Sequence, residues 1–209
     1  MEKVPVYKTY GIILKKADLG QTDRLLTIYT EKFGKILVRA KGVGKKESKL
    51  KSLIEPFNIY EFMLAKSKTI DVLANSWPQK EFVNLRVNFE TLMLAIYFCE
   101  LIDKLIPAPE RDPNIWTLVT KAMEALNEIN LKSSFFFVKR EEQFSFFRES
   151  REGSFLLKLK TAFEEKLLEL LGHPTFLAHG KITAREKINY LQSLAGEEIK
   201  TEKFLSWLK

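Results

Sequence analysis

The chain reads as α+β in two parts: a small five-stranded barrel over residues 1–80 and an all-helical part over 81–209. Three observations lead there. Short β-branched and apolar runs, parted by Gly-bearing turns, recur at regular spacing in the first 80 residues. From about residue 88 the apolar spacing changes to three-and-four, the period of a helix. Charge divides at the same place. Residues 1–80 hold 14 Lys and 2 Arg against 8 Asp and Glu, whereas the remainder has 18 basic and 19 acidic residues.

Tyr10-Gly-Ile-Ile-Leu-Lys-Lys16 opens the strand series and Asp18-Leu-Gly20 turns the chain. Arg24 to Thr30 is a second run, Lys32-Phe-Gly-Lys35 a turn, and Ile36 to Ala40 a third run. Ile54 to Leu64 and Thr69 to Ala74 supply the fourth and fifth. Five short strands in this length fit an OB-fold barrel. The passage to helices falls near Trp77-Pro78.

Helical elements follow. Asn88 to Ile106 places Phe89, Leu92, Met93 and Ile96 on one face, continued by Leu101, Ile102 and Leu105, and Pro107 ends it. Asp112-Pro113 is a cap followed by proline at the first helical position, with Trp116, Val119, Ala122, Met123 and Leu126 as the stripe. Ser154 opens a third helix carrying Leu156, Leu159, Phe163, Leu167 and Leu170, which Gly172 and Pro174 stop. Thr183-Ala-Arg-Glu186 has the spacing of a capping box, Gly196 closes that helix, and a short last one spans Thr201 to Leu208. Nine of the 16 Phe lie in residues 133–176. Most read as core. The triplet Phe135-Phe136-Phe137 cannot point one way on a helix, which leaves part of it for a partner or a neighbouring domain.

Composition excludes several classes. Apolar residues make up 45% and charged residues 29%, which is neither disordered nor fibrous. No apolar run reaches the roughly 18 residues of a membrane span. The start, Met1-Glu-Lys-Val-Pro-Val6, lacks the pattern of a secretory signal, so a cytoplasmic location is expected. A single cysteine, Cys99, rules out an internal disulfide and any multi-cysteine zinc site.

The net charge of +7 and a pI near 9.3 point to a polyanionic partner. Period-2 alternation on the third strand puts Lys35, Leu37, Arg39 and Lys41 on one face, with Ile36, Val38 and Ala40 toward the core. The cationic row runs on into Lys45, Lys46, Lys49 and Lys51. From Lys35 to Lys51 there are seven basic residues and one acid, Glu47. Such a path neutralises phosphates and releases counterions; a solvated loop is the bland alternative. Lys15, Lys16 and Arg24 extend the path. Tyr10, Tyr29, Phe33, Phe57 and Tyr60 are candidates for stacking on unpaired bases, although a small barrel also needs large side chains in its core. Phe33, in a turn, is the best placed of them.

Catalytic chemistry is hard to find. His173 and His179 sit six apart near a helix end with no Cys or paired carboxylates beside them. No phosphate loop, Gly-x-Ser-x-Gly, His-Glu-x-x-His or dinucleotide fingerprint occurs. The pairs Glu141-Glu142 and Glu164-Glu165 point to different helix faces, and Cys99 lies in an apolar helix. The expectation is a non-enzyme without cofactor or metal.

A series of short motifs then comes in order: Gly11-Ile-Ile-Leu-Lys15, Asp23-Arg-Leu-Leu-Thr27, Thr30-Glu-Lys-Phe-Gly-Lys35, Ala40-Lys-Gly42, Ser48-Lys-Leu50 and Glu55-Pro-Phe57. This series resembles the RecO family of bacterial recombination mediators over about residues 7–80. Leu167 to Gly172 and Ile188 to Leu205 resemble its helical part more loosely. The resemblance implies an OB-fold head and a helical body. It also implies binding of single- and double-stranded DNA, strand annealing, and help in loading RecA onto strands coated by single-strand binding protein. Partners implied are RecR and the C-terminal tail of the coating protein. One departure is plain. Many members carry a four-cysteine zinc ribbon, whereas here the chain passes from Gly172 to Thr183 without a Cys.

The expected mechanism is non-catalytic DNA mediation by phosphate contacts from Lys35, Arg39, Lys41, Lys45, Lys46, Lys49 and Lys51, extended by Lys15, Lys16 and Arg24. An RNA-binding OB-fold module, a pure scaffold protein and a metal-dependent nuclease are the rival classes.

Overall fold

The computed structural model describes residues 5–44, 53–129, 150–173 and 183–208. Strands β1 (Val6–Leu19), β2 (Asp23–Thr30), β3 (Gly34–Ala40), β4 (Ile59–Ala65) and β5 (Asp71–Lys80) close a barrel in the order β1-β2-β3-β5-β4. Neighbours are antiparallel except β3 and β5, which run parallel. The expected OB-fold barrel is therefore present.

Closure depends on β1 serving two neighbours. Its residues Gly11 to Leu19 pair with β2, and Val6 to Ile12 pair with β4. A bulge between Ile13 and Lys15 bends the strand from one partner to the other. Strand β5 runs through Trp77-Pro78 to Lys80, past Ala74, where the fifth run was expected to end. A register shift between Ile59 and Tyr60 lies opposite Pro78, and a bulge is where a strand tolerates a residue that donates no ladder hydrogen bond.

The interior holds Ile13, Leu26, Ile28, Val38, Phe62 and Leu64, each withdrawn from water. A second core belongs to the helices, but Ile12, Leu14, Tyr29 and Phe57 of the barrel are part of it. The outer side of β1 and β2 is thus the seat of the helical body. Gly34 marks the seam. Its φ is +65°, and a Cβ there would fall 2.0 Å from the Glu110 carbonyl oxygen, so only glycine fits. Beside it the Tyr29 hydroxyl donates to the Asp112 carbonyl at 3.2 Å, and Arg111 Nε donates to the Glu31 carbonyl at 3.0 Å.

A short 3-10 turn, Asn84–Arg86, leads into α1 (Phe89–Leu105), α2 (Pro113–Glu128), α3 (Ser150–Leu170) and α4 (Ala184–Ala195). Local signals set the ends. The Asp112 side chain accepts from the Asn114 N–H ahead of Pro113. Thr183 and Glu186 form the reciprocal capping box, and Gly196 in the left-handed conformation closes α4.

Two expectations need correction. The buried face of α1 is Leu94, Ala95, Phe98, Leu101 and Ile102, while Phe89 is 61% exposed and Leu92, Met93 and Ile96 are half-buried. The helix is apolar on almost every side, so two stripes compete and docking selects one. Helix α3 starts at Ser150, four residues before Ser154. The expected short last helix is present over Lys200–Leu208, wound as a 3-10 helix. Its first turn is held by the Glu100 carboxylate, which accepts from the Lys200 and Thr201 N–H groups at 2.8 Å each. The Phe135-Phe136-Phe137 triplet lies outside the described residues. Among the described residues no helix is long and apolar enough to cross a membrane.

Candidate nucleic-acid interface

Strand β3 alternates as its sequence requires: Val38 and Ala40 are buried, and Leu37 and Arg39 project outward. Cross-strand register extends that outer face. Arg39 lies opposite Leu25, which lies opposite Ala17; Leu37 lies opposite Thr27, which lies opposite Lys15. Lys15, Leu37 and Arg39 thereby share one side of the β1–β2–β3 sheet, and the exposed Lys41 follows directly in the turn after β3. Leu37 is 46% exposed, an apolar side chain set among cations.

The remaining expected residues divide. Lys35 is also on this side, at its helical end, but its side chain is only 13% exposed. Its ammonium donates to the Asp103 carbonyl and lies 3.8 Å from Asp103 Oδ1. Asp103 is in the last turn of α1, where carbonyls lack intrahelical partners and a cation is favoured. Burial pushes the Lys35 ammonium's pKa down, and the Asp103 charge works against that. Lys35 therefore pins the barrel to the helical body. Lys16 and Arg24 lie in register with Leu26 and Ala40, which face the interior, so they sit on the opposite side of the β1–β2 hairpin. Lys16 is 3.7 Å from Glu55 and Arg24 is 3.1 Å from Asp18. Lys45, Lys46, Lys49 and Lys51 lie outside the described residues.

Of the outer-face cations, Lys15 is 64% exposed and 3.7 Å from Asp103. Arg39 is bound by Asp23 through Nε at 2.7 Å and Nη2 at 2.6 Å. Lys41 has no ion-pair partner among the described residues. An exposed pair contributes about 0–1 kcal/mol, so the Lys15–Asp103 contact ties up little of the lysine's charge.

Aromatic side chains fall into two groups. Tyr29, Phe57 and Tyr60 are core. Tyr10 and Phe33 are exposed, and Phe33 sets its edge against Tyr7 at 4.9 Å. An exposed Trp77, opposite Glu61 on β4, has Lys8 Nζ 4.6 Å above its ring. In the sequence Trp77 marks only the passage to the helices; its outward position follows from strand parity because β5 reaches Lys80.

Asp23 is the other residue that was missed. It opens the Asp23-Arg-Leu-Leu-Thr27 motif, and both of its oxygens are taken. Oδ2 accepts from Arg39, and Oδ1 accepts from the Gly42 N–H at 2.8 Å and the Thr22 hydroxyl at 3.3 Å. The Gly42 N–H first, and then Arg39, hold its carboxyl below the ordinary carboxylate range.

Elsewhere the chemistry is structural. Among the described residues no group of three or more His, Cys, Asp or Glu could hold a metal ion. Cys99 is buried, which pushes its thiol's pKa up, far from a reactive thiolate. His173 Nδ1 meets the Tyr190 hydroxyl at 3.0 Å; His179 and the pair Glu141-Glu142 lie outside the described residues. Glu164 is buried, accepts from Tyr97 and Lys160 at 2.6 Å each, and lies 3.7 Å from Lys187, whereas Glu165 meets Lys187 at 2.8 Å from a more exposed position.

Comparison with known proteins agrees with the fold. The model of the recombination protein O N-terminal region matches residues 1–79, and that of its C-terminal region matches residues 86–138. Together they span more than half of the chain. Among curated relatives, the DNA repair protein RecO of Dehalococcoides mccartyi is 35% identical over 127 residues, 61% of this chain and 50% of that protein. The DNA repair protein RecO of Desulforamulus reducens is 30% identical over 121 residues, 58% of this chain and 47% of that protein. That of Roseiflexus sp. is 34% identical over 122 residues, 58% and 43% respectively. The chain spans about half the length of the curated relatives it matches. With the barrel matched to one family region and the two helices that follow it, α1 and α2, to the other, the chain belongs to the RecO family of DNA repair proteins.

Proposed function

We propose that this chain is a non-catalytic DNA-binding recombination mediator, acting in the cytoplasm on single- and double-stranded DNA. It anneals complementary strands and helps load RecA onto single-stranded DNA coated by single-strand binding protein. The observation that carries this is the outer face of β1–β2–β3. There Lys15 and Arg39 flank the exposed Leu37 on one side of the sheet, and the exposed Lys41 follows the end of β3, where the chain enters the lysine-rich stretch Lys45, Lys46, Lys49 and Lys51. A cationic face of this kind holds the sugar–phosphate backbone and leaves base edges free. It also screens the repulsion between two strands, which is what annealing needs. RecR and the tail of the coating protein enter as partners through family membership.

Strand annealing measured across salt, with and without single-strand binding protein, tests the reading. Annealing is expected to be faster than the uncatalysed reaction at low salt, to persist on coated strands, and to fall steeply as salt rises. No acceleration at any salt overturns it. A clear preference for RNA in competition would move the assignment to an RNA-binding module.

A further inference from the structure

From the double engagement of Asp23, we infer that this carboxylate is a positioning residue for the DNA-binding face, orienting Arg39 toward a phosphate of the bound strand. The inference rests on the function proposed above and deepens it. A carboxylate beside a cationic path would ordinarily count against phosphate binding, because it repels the ligand and neutralises a neighbour. Its geometry here argues the reverse. Asp23 is 13% exposed, so it presents little of its charge to a strand passing over the sheet. It grips the inner edge of the Arg39 guanidinium, Nε and Nη2, and nothing else among the described residues takes Nη1. A planar fork held on one edge turns its other donors outward, in a geometry that suits a phosphate. Nearly half of the Arg39 side chain remains in water, so those donors are accessible.

The other oxygen of Asp23 does a second job. By accepting from the Gly42 N–H it holds the chain where β3 ends, and Gly44 N–H donates to the Thr22 carbonyl at 2.7 Å alongside. Gly42 has φ +67°, a turn that glycine adopts without strain. One side chain thus couples the direction of Arg39 to the turn that directly follows Lys41. Fixing a long side chain before the ligand arrives removes part of the ordering cost of binding.

Simple electrostatics and positioning predict opposite signs. Removing Asp23 raises the net charge by one, so if it only repels phosphate, binding tightens. If it positions Arg39, binding weakens. The test uses the full chain and a fluorescein-labelled mixed-sequence single strand, titrated between low and moderate salt. Asp23→Ala is expected to weaken binding about 3- to 10-fold at low salt, with the slope of log K against log salt shallower by about 0.7, the value for one phosphate contact on a single strand. Arg39→Ala is expected to give the same loss. Adding Asp23→Ala to Arg39→Ala is expected to cost nothing more. Asp23→Asn keeps an acceptor for Gly42 but turns an amide toward the guanidinium, so it should behave like the alanine variant while preserving the turn; it also serves if Asp23→Ala does not fold. Tighter or unchanged binding by Asp23→Ala and Asp23→Asn overturns the inference, as does weaker binding with an unaltered slope. Absence of binding by the unmodified chain at low salt would instead remove the proposed function, and the inference with it.

Discussion

On the outer face of the barrel, Arg39 Nη2 meets Asp23 at 2.6 Å with 46% of the arginine side chain in water. Inside the helical body, Lys160 meets Glu164 at the same 2.6 Å, yet the two side chains are only 8% and 5% exposed. Glu164 there also accepts from the Tyr97 hydroxyl at 2.6 Å, and Lys160 lies 3.3 Å from Glu202. Distance does not separate the two regions; the surrounding dielectric does. At the surface water screens the attraction, and the guanidinium donors that Asp23 leaves open stay accessible to a phosphate. In the body each charge has lost its hydration and depends on its neighbours, so the cluster is fixed. Burial drives the Tyr97 hydroxyl's pKa far up, with the Glu164 charge adding to it, so that group stays a neutral donor. Similar side chains thus serve contact in one place and architecture in the other.

Glu164→Ala is expected to act most strongly, because it takes the 2.6 Å partner from the buried Lys160, leaving only Glu202 at 3.3 Å, and removes the acceptor of the buried Tyr97 hydroxyl. A loss of about 3–5 kcal/mol in urea unfolding is expected, with DNA affinity per folded molecule unchanged. If affinity fell as far as stability, the two regions would not be separate devices. Next is the surface path. Replacing Lys45, Lys46 and Lys49 together by Ala should weaken binding of unrelated sequences alike and flatten the salt slope by up to about three, while the urea midpoint stays put. An unchanged slope would take that segment out of the interface. Lys15→Ala is the mildest. Stability should move by less than about 0.5 kcal/mol, since the Asp103 contact at 3.7 Å is mostly solvated, and the slope should drop by about one. A larger loss of stability would mean that Lys15 fastens the barrel to α1 as Lys35 does.

Several features were legible because they are local. Asp112 before Pro113, and Thr183 with Glu186, act within one helical turn, so spacing alone reveals them. Alternation on β3 is local for the same reason. The buried side of α1 was not legible, since its apolar residues leave two faces open and the choice depends on what docks. Nor were the partners of the cations. Asp103 is 68 residues from Lys35, and Asp23 is 16 from Arg39; no spacing rule joins such pairs.

Composition and periodicity were enough to establish a cationic five-stranded barrel followed by helices, because backbone propensity and the burial of apolar side chains act over a few residues. Which lysines stay in water, which one is spent on the seam with α1, and which acid holds Arg39 depended on folding. Closing the barrel and seating the helices on β1 and β2 brings distant carboxylates within reach of those cations, and the strength of an ion pair is set by proximity and burial together.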